Sequence, residues 1–213
     1  MPHSLFHPKT LRDAVKAFHF PADLAAKQAI ICQWIETLTA GTLTHIKETS
    51  LHGEFLSDIF RSVLGYRGIV EAGGVAWELH PERNIGNGGG FADAALGLFT
   101  SQMNDRGAAK LAGRIVAPIE LKGAAIDLDK KTRGNESAVE QGWRYANYTE
   151  GCRWVIVSNY RELRLYCTVK TPLDYERFEL ADLADLETFK TFYFCCVVQI
   201  FARINQCFYN NAD

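Results

Sequence analysis

The spacing of apolar residues changes once along this chain, at Ala76, and that change limits what the chain can fold into. Before it, Leu11, Val15 and Phe18 repeat at helical spacing. After Pro21, Leu24, Ala25, Ile30, Ile31, Trp34, Ile35 and Leu38 do the same up to a stop at Gly41. These two helices are expected to pack as a pair. A third helix is expected over residues 50–64, with Leu51, Phe55, Ile59, Val63 and Leu64 on one face, Glu54 and Asp58 on its polar face, and Gly65 as its stop. Beyond Ala76 the apolar residues fall in short runs bounded by glycine clusters, first Trp77 and Leu79, then 91–99, then 115–122, which is the pattern of strands. Helix returns over 136–149. Runs 153–158 and 162–168, joined by Asn159-Tyr160-Arg161, make a hairpin the economical assignment. A last strand lies near 176–180, and 186–208 is a helix that is apolar nearly all round, a type usually buried.

This order predicts an α/β fold, a mixed β-sheet flanked by helices, with extra helices at the N-terminus and one at the C-terminus. The 213 residues suit a single domain, divided into an N-terminal helical part (1–46), a core (47–182) and the C-terminal helix (183–213). The chain stops at Tyr209-Asn210-Asn211-Ala212-Asp213 just after the apolar helix, as expected where a following domain once packed. Hydrophobic residues at 47% and charged residues at 23% exclude disorder and low-complexity structure. With 23 Lys plus Arg against 25 Asp plus Glu the net charge is −2, so no global basic field recruits nucleic acid, and any phosphate contact must be local or shared with another module. The six cysteines form no C-x-x-C pair, which argues against a metal knuckle. Residues 1–20 show no positively charged head followed by an apolar run, so no secretory signal is expected, and the longest apolar stretch, 192–202, is interrupted by Gln199 and falls short of the roughly 20 residues of a membrane span. A cytoplasmic protein with reduced thiols and no membrane partner is the expectation.

Two short segments carry the chemistry. Asp93 lies in the run 89–96, where alternation sends it to the face opposite Ala92 and Ala94. In Pro118-Ile119-Glu120-Leu121-Lys122, Glu120 and Lys122 leave the same face of a strand while Leu121 enters the core. The separation 120 − 93 = 27 residues lets the first strand turn and return as a neighbour, so that Asp93 faces Glu120. Converging carboxylates repel unless one takes a proton or a cation lies between them. A hard ion such as Mg²⁺, held by one or two carboxylates and water, suits an Asp and a Glu. Lys122 beside it would steady a phosphate or an attacking hydroxide, which points to metal-assisted hydrolysis of a phosphate ester.

The order Asp93, then Glu120-Leu121-Lys122, resembles the PD-(D/E)XK nuclease superfamily, with Ala92 where its first motif carries proline. Glu54, ahead of Val63-Leu64-Gly65-Tyr66, is similar to the helical acid that such nucleases add to their metal site. Gln141-Gly142-Trp143-Arg144-Tyr145 is similar to the Gln-x-x-x-Tyr motif on the helix that follows, and residues four apart share a helix face. Lys47-Glu48-Thr49-Ser50, Gly53-Glu54-Phe55-Leu56 and Pro118 to Lys122 together resemble the N-terminal endonuclease domain of type IIG-like fused restriction-modification enzymes, over roughly 47–165. The resemblance implies a restriction-endonuclease-like core and a Mg²⁺-dependent DNA endonuclease, with Mn²⁺ as a substitute. Asp93 and Glu120 would hold the metal, with the Leu121 carbonyl as a further ligand and Glu54 acting through water or a second ion. Lys122 would orient or deprotonate the attacking water, and Gln141 and Tyr145 would buttress the site. Downstream methyltransferase and target-recognition domains are implied as partners, although this sequence contains no methyltransferase motif. One such site cuts one strand, so a double-strand cut requires a dimer or two events.

Each signal also has a plainer reading. Glu120-Leu121-Lys122 alone fits two charges on a strand edge, and Glu48, Asp58 and Glu71 compete with Glu54 for the helical acid. Gln141 and Tyr145 fit an interfacial pair. Lys130, Lys131 and Arg133 fit a DNA backbone or a solvated turn. The glycine run 85–90 lacks the Gly-Lys-Ser/Thr ending of a phosphate loop and reads as a loop beside the active face. The six histidines show no ligand spacing, so structural or exposed roles are the default. The rival function is a non-catalytic nuclease-fold module that binds DNA or a protein. A glycosidase built on Asp93 and Glu120 gives Lys122 no role.

Overall fold

Pro8 opens the first helix, where its fixed φ suits the first turn, and the chain then runs α1 (Pro8–Ala17), α2 (Leu24–Thr39) and α3 (Glu48–Phe55). The computed structural model describes residues 3–86, 88–103, 109–131 and 134–209. Asn87 of the glycine run, Arg133 of the basic loop, the Glu48 side chain and the end 210–213 lie outside the described residues. The third helix is not uniform as expected: beyond Phe55 it widens into a π-helical segment, Leu56–Val63, which buries Leu56, Ile59, Phe60 and Val63. Then follow β1 (Trp77–Ile85), β2 (Gly90–Met103), β3 (Ala109–Leu121), α4 (Ala138–Asn147), β4 (Trp154–Ser158), β5 (Glu162–Cys167), β6 (Tyr175–Glu179) and α5 (Leu186–Tyr209).

The strands form one six-stranded sheet in chain order. Every neighbouring pair is antiparallel except β3 and β4, which are parallel and joined by the α4 crossover, so the sheet is mixed as the sequence predicts. Alternation assigns the faces. On β4, Trp154 and Ile156 join the large apolar cluster with α2, α3 and α5, while Val155 and Val157 join a second cluster with Ala138, Val139 and Ala146 of α4. The C-terminal helix is buried on the first face through Phe189, Phe192, Cys195, Cys196 and Ile200. The expected pairing of the first two helices gives way to other contacts. α1 packs chiefly on α5, with the Phe18 ring edge-on to Phe194 at 5.5 Å. α2 packs on the helical turn Leu180–Ala184 and on the π-helical segment. Among the described residues no helix is long and apolar enough to cross a membrane.

α4 is fixed at both ends of its job. Ser137 and Glu140 form a reciprocal capping box at its start. At its middle, a Cβ on Gly142 would come within 2.8 Å of Val155 Cγ1, so glycine is what lets the helix lie this close to β4. That close approach carries Tyr145 over the C-terminal end of β3.

Candidate active site

Pairing between β2 and β3 runs as far as Ala94 opposite Ile119. Beyond it β2 pairs only with β1, while β3 continues to Leu121 beside β4. The Leu121 N–H, left facing the gap, donates to the Asp93 carboxylate (Oδ2, 2.7 Å). The two acids therefore meet where two neighbouring strands part. The pleat of β2 also changes phase here. Ala94 and Leu96 face the large cluster, whereas Ala92 joins Ala95 and Phe99 on the opposite face. The expectation that Ala92 and Ala94 share a face with Asp93 opposite is thus corrected, and Asp93 sits at the crossing point. Its counterpart on β1 is Glu82, between the pairs Pro81–Ala94 and Arg83–Ala92, in the left-handed region at φ 48°. A non-glycine residue there costs on the order of 1–3 kcal/mol, a strain a period-based reading cannot see.

Glu120 is 2% exposed, and Leu121 beside it lies in the large cluster, so the two leave opposite faces as predicted. Lys122 Nζ donates to Glu120 Oε1, and the Tyr145 hydroxyl donates to the same carboxylate. Burial and the nearby Asp93 charge push Glu120 up to about 7 against the lowering by Lys122 and Tyr145. Burial, and then the Glu120 charge, hold the Tyr145 hydroxyl well above its ordinary range, so it stays a proton donor. Glu120 Oε2 is buried and has no hydrogen-bond partner among the described residues. Gln141, one turn before Tyr145 on α4, is half-buried, and its Oε1 has the same deficit. Arg144 braces this helix against the glycine run: it donates to the Gly89 carbonyl, pairs with Glu136, and lies 5.0 Å from the Tyr145 ring centroid.

From α3 it is His52 that approaches Asp93, with Nδ1 3.8 Å from Oδ1. Its ring lies 6.5 Å from that of Tyr160, a buried residue at φ 64° in the turn between β4 and β5, which also packs on Phe55. Asn159 beside it donates to the Ile126 carbonyl at 2.7 Å and accepts from the Glu162 N–H at 3.0 Å, tying this turn to the loop after β3. Glu54 is two residues beyond His52, roughly 200° around an α-helix. It is exposed and lines a groove with Trp34, Ile46 and Asp58. Asp58 accepts from Trp34 Nε1 at 3.0 Å and Glu71 pairs with Arg61, so both competing acids have structural partners. Lys130 and Lys131 are exposed, and Lys131 lies 3.4 Å from Glu140 of the capping box.

No family model, curated protein or solved structure matches this chain.

Among the described residues no three His, Cys, Asp or Glu side chains converge as a metal-binding group, so Glu54 does not complete a set with Asp93 and Glu120. The donors at the strand gap are two carboxylates and the carbonyl of Leu121. A hard divalent ion that keeps several waters needs no more than that. Glu120 Oε2 is left without a hydrogen-bond partner among the described residues, and the raised Glu120 value reports burial beside the Asp93 charge that Lys122 only partly offsets. Asp93, Glu120 and Leu121 thus fit such an ion chemically.

Proposed function

We propose that this chain is a Mg²⁺-dependent DNA endonuclease, with Mn²⁺ as a substitute. The observation that carries the reading is the Glu120 carboxylate, buried beside Asp93, bonded on one oxygen and, among the described residues, without a partner on the other. Asp93, Glu120 and the Leu121 carbonyl would hold the ion, with His52 against Asp93. A bound divalent ion supplies a Lewis acid for the phosphoryl oxygen and a water of lowered pKa. Lys122 orients the attacking water and steadies the scissile phosphate. Tyr145 and Gln141, projecting from one face of α4, position the same groups with a hydroxyl proton and an amide. The further assignment to the cleavage domain of a fused restriction-modification enzyme rests on the sequence resemblance. Its methyltransferase and target-recognition domains would supply the grip on DNA that a net charge of −2 does not.

One observation favours a non-catalytic nuclease-fold module. Lys122 already sits on Glu120, so the carboxylate has a cation of its own. Divalent-ion binding separates the two. Calorimetric titration of the chain with Mn²⁺ should show saturable binding that Asp93→Ala removes and Glu120→Gln weakens at least about tenfold. A wild-type chain that takes up no ion favours the scaffold.

A further inference from the structure

A cleft of about 640 Å³ opens between β1, β3 and the turn after α4, bordered by Arg83, Asn84, Arg114, Tyr148, Thr149 and Glu150. Arg83 reaches it because Glu82, at φ 48°, breaks the alternation of β1 and turns Arg83 to the face of Ile85 and Phe99. There its guanidinium lies 5.6 Å from the Phe99 ring centroid. Its Nε is buried and has no hydrogen-bond partner among the described residues. Burial lowers the Arg83 pKa, and no carboxylate is among the causes of that shift. An arginine nevertheless stays charged. Arg114 comes from the other side, its guanidinium filling the space a side chain at position 151 would take: a Cβ on Gly151 would meet Nη2 at 2.3 Å.

A buried N–H without an acceptor needs one. Two guanidinium groups, an amide and a hydroxyl around an open cleft are the donors that match a phosphate, which arginine binds through paired N–H groups. Glu150 opposes that charge from the rim. Arg114 and Glu120 are 120 − 114 = 6 residues apart on β3, roughly 20 Å at about 3.3 Å per residue, so the Arg114 end of the cleft stands clear of Glu120, while Arg83 at the other end pairs with Ala92, next to Asp93.

We propose that the cleft between Arg83 and Arg114 binds a phosphate of the nucleic-acid backbone other than the one cleaved. The choice of nucleic acid as the source of that phosphate rests on the endonuclease reading. The test measures binding of a short fluorescent DNA duplex by anisotropy in EDTA, where nothing is cut, over a series of salt concentrations, with inorganic phosphate as a competitor. The Arg83→Gln/Arg114→Gln double variant should bind about tenfold or more weakly, with a log–log salt slope reduced by about one. Arg83→Lys, which keeps the charge and loses the paired N–H groups, should restore only part of the affinity. Glu150→Gln should tighten binding several-fold, a gain that no misfolded protein produces. Unchanged duplex affinity and salt slope in the double variant and in Arg114→Gln, whose residue is exposed, overturn the site. Arginine-dependent binding of inorganic phosphate with an unchanged duplex overturns the nucleic-acid source. Arginine-dependent duplex binding by a chain that cuts nothing supports this site and removes the endonuclease reading, whereas metal-dependent cutting with unaltered binding does the reverse.

Discussion

Glu120 titrates at about 7 in the fold and near 4.3 in an unfolded chain. Below both values it is neutral in either state and costs nothing. Between them the folded chain keeps a proton that the unfolded chain has lost, so stability falls as pH rises from about 4.3 to about 7, by about 3 to 4 kcal/mol in all. Above that window the loss is complete. In the metal-free protein Glu120→Gln should remove this slope and leave the variant more stable than wild type at pH 8. Urea midpoints for both chains across pH 4.5–8 check it, and parallel curves would contradict it. That Glu120 and Lys122 meet was legible because the strand period fixes which side chains share a face, whereas Tyr145 came from the resemblance to the Gln-x-x-x-Tyr motif, the helix period saying only that it shares a face with Gln141. The role of His52 was not, since a lone histidine on a helix carries no spacing signal. Its one clue was its place beside Leu51 on the rim of the apolar stripe. Glu54 matched the motif by position, yet the turn of the helix between residues 52 and 54 sends it to the groove with Trp34.

At the scale of elements, α4 is the part that positions the site, and Gly142 is its narrowest tolerance. Alanine in place of glycine gains about 1 kcal/mol of helix propensity. Here the added Cβ meets Val155 Cγ1 at 2.8 Å and Val157 Cγ2 at 3.1 Å, on two stiff β-branched side chains. Overpacking of that kind costs about 1–3 kcal/mol, so Gly142→Ala should destabilise the chain by about 1 kcal/mol net and displace Tyr145 from Glu120. Denaturant unfolding reads the sign, and a stabilised variant would show that α4 does not press on β4. The strands, the hairpin and the capping helix could be read from period and punctuation. The partnering of α1 with α5 could not, because it depends on the edge of Phe18 finding Phe194 across nearly the whole chain. Nor could the phase change at Glu82 and Asp93, where a left-handed backbone overrides alternation. The phase change falls at the candidate site, where local rules are expected to give way.

For the whole molecule, the mixed sheet sets Asp93 and Glu120 at a gap between parting strands, with helices on both faces. A chain of net charge −2 has no field to hold DNA by itself, so the isolated chain should bind DNA weakly and act best at low ionic strength. The most direct test of the central claim is nicking of supercoiled plasmid at low salt with Mg²⁺ or Mn²⁺. The wild-type chain should nick only with metal, and Asp93→Ala and Lys122→Ala should lose at least about 100-fold in rate, on the scale of a lost acid–base or electrostatic group, with melting temperatures showing both variants folded. Cutting without metal, or cutting that survives in both folded variants, would contradict the assignment of this site.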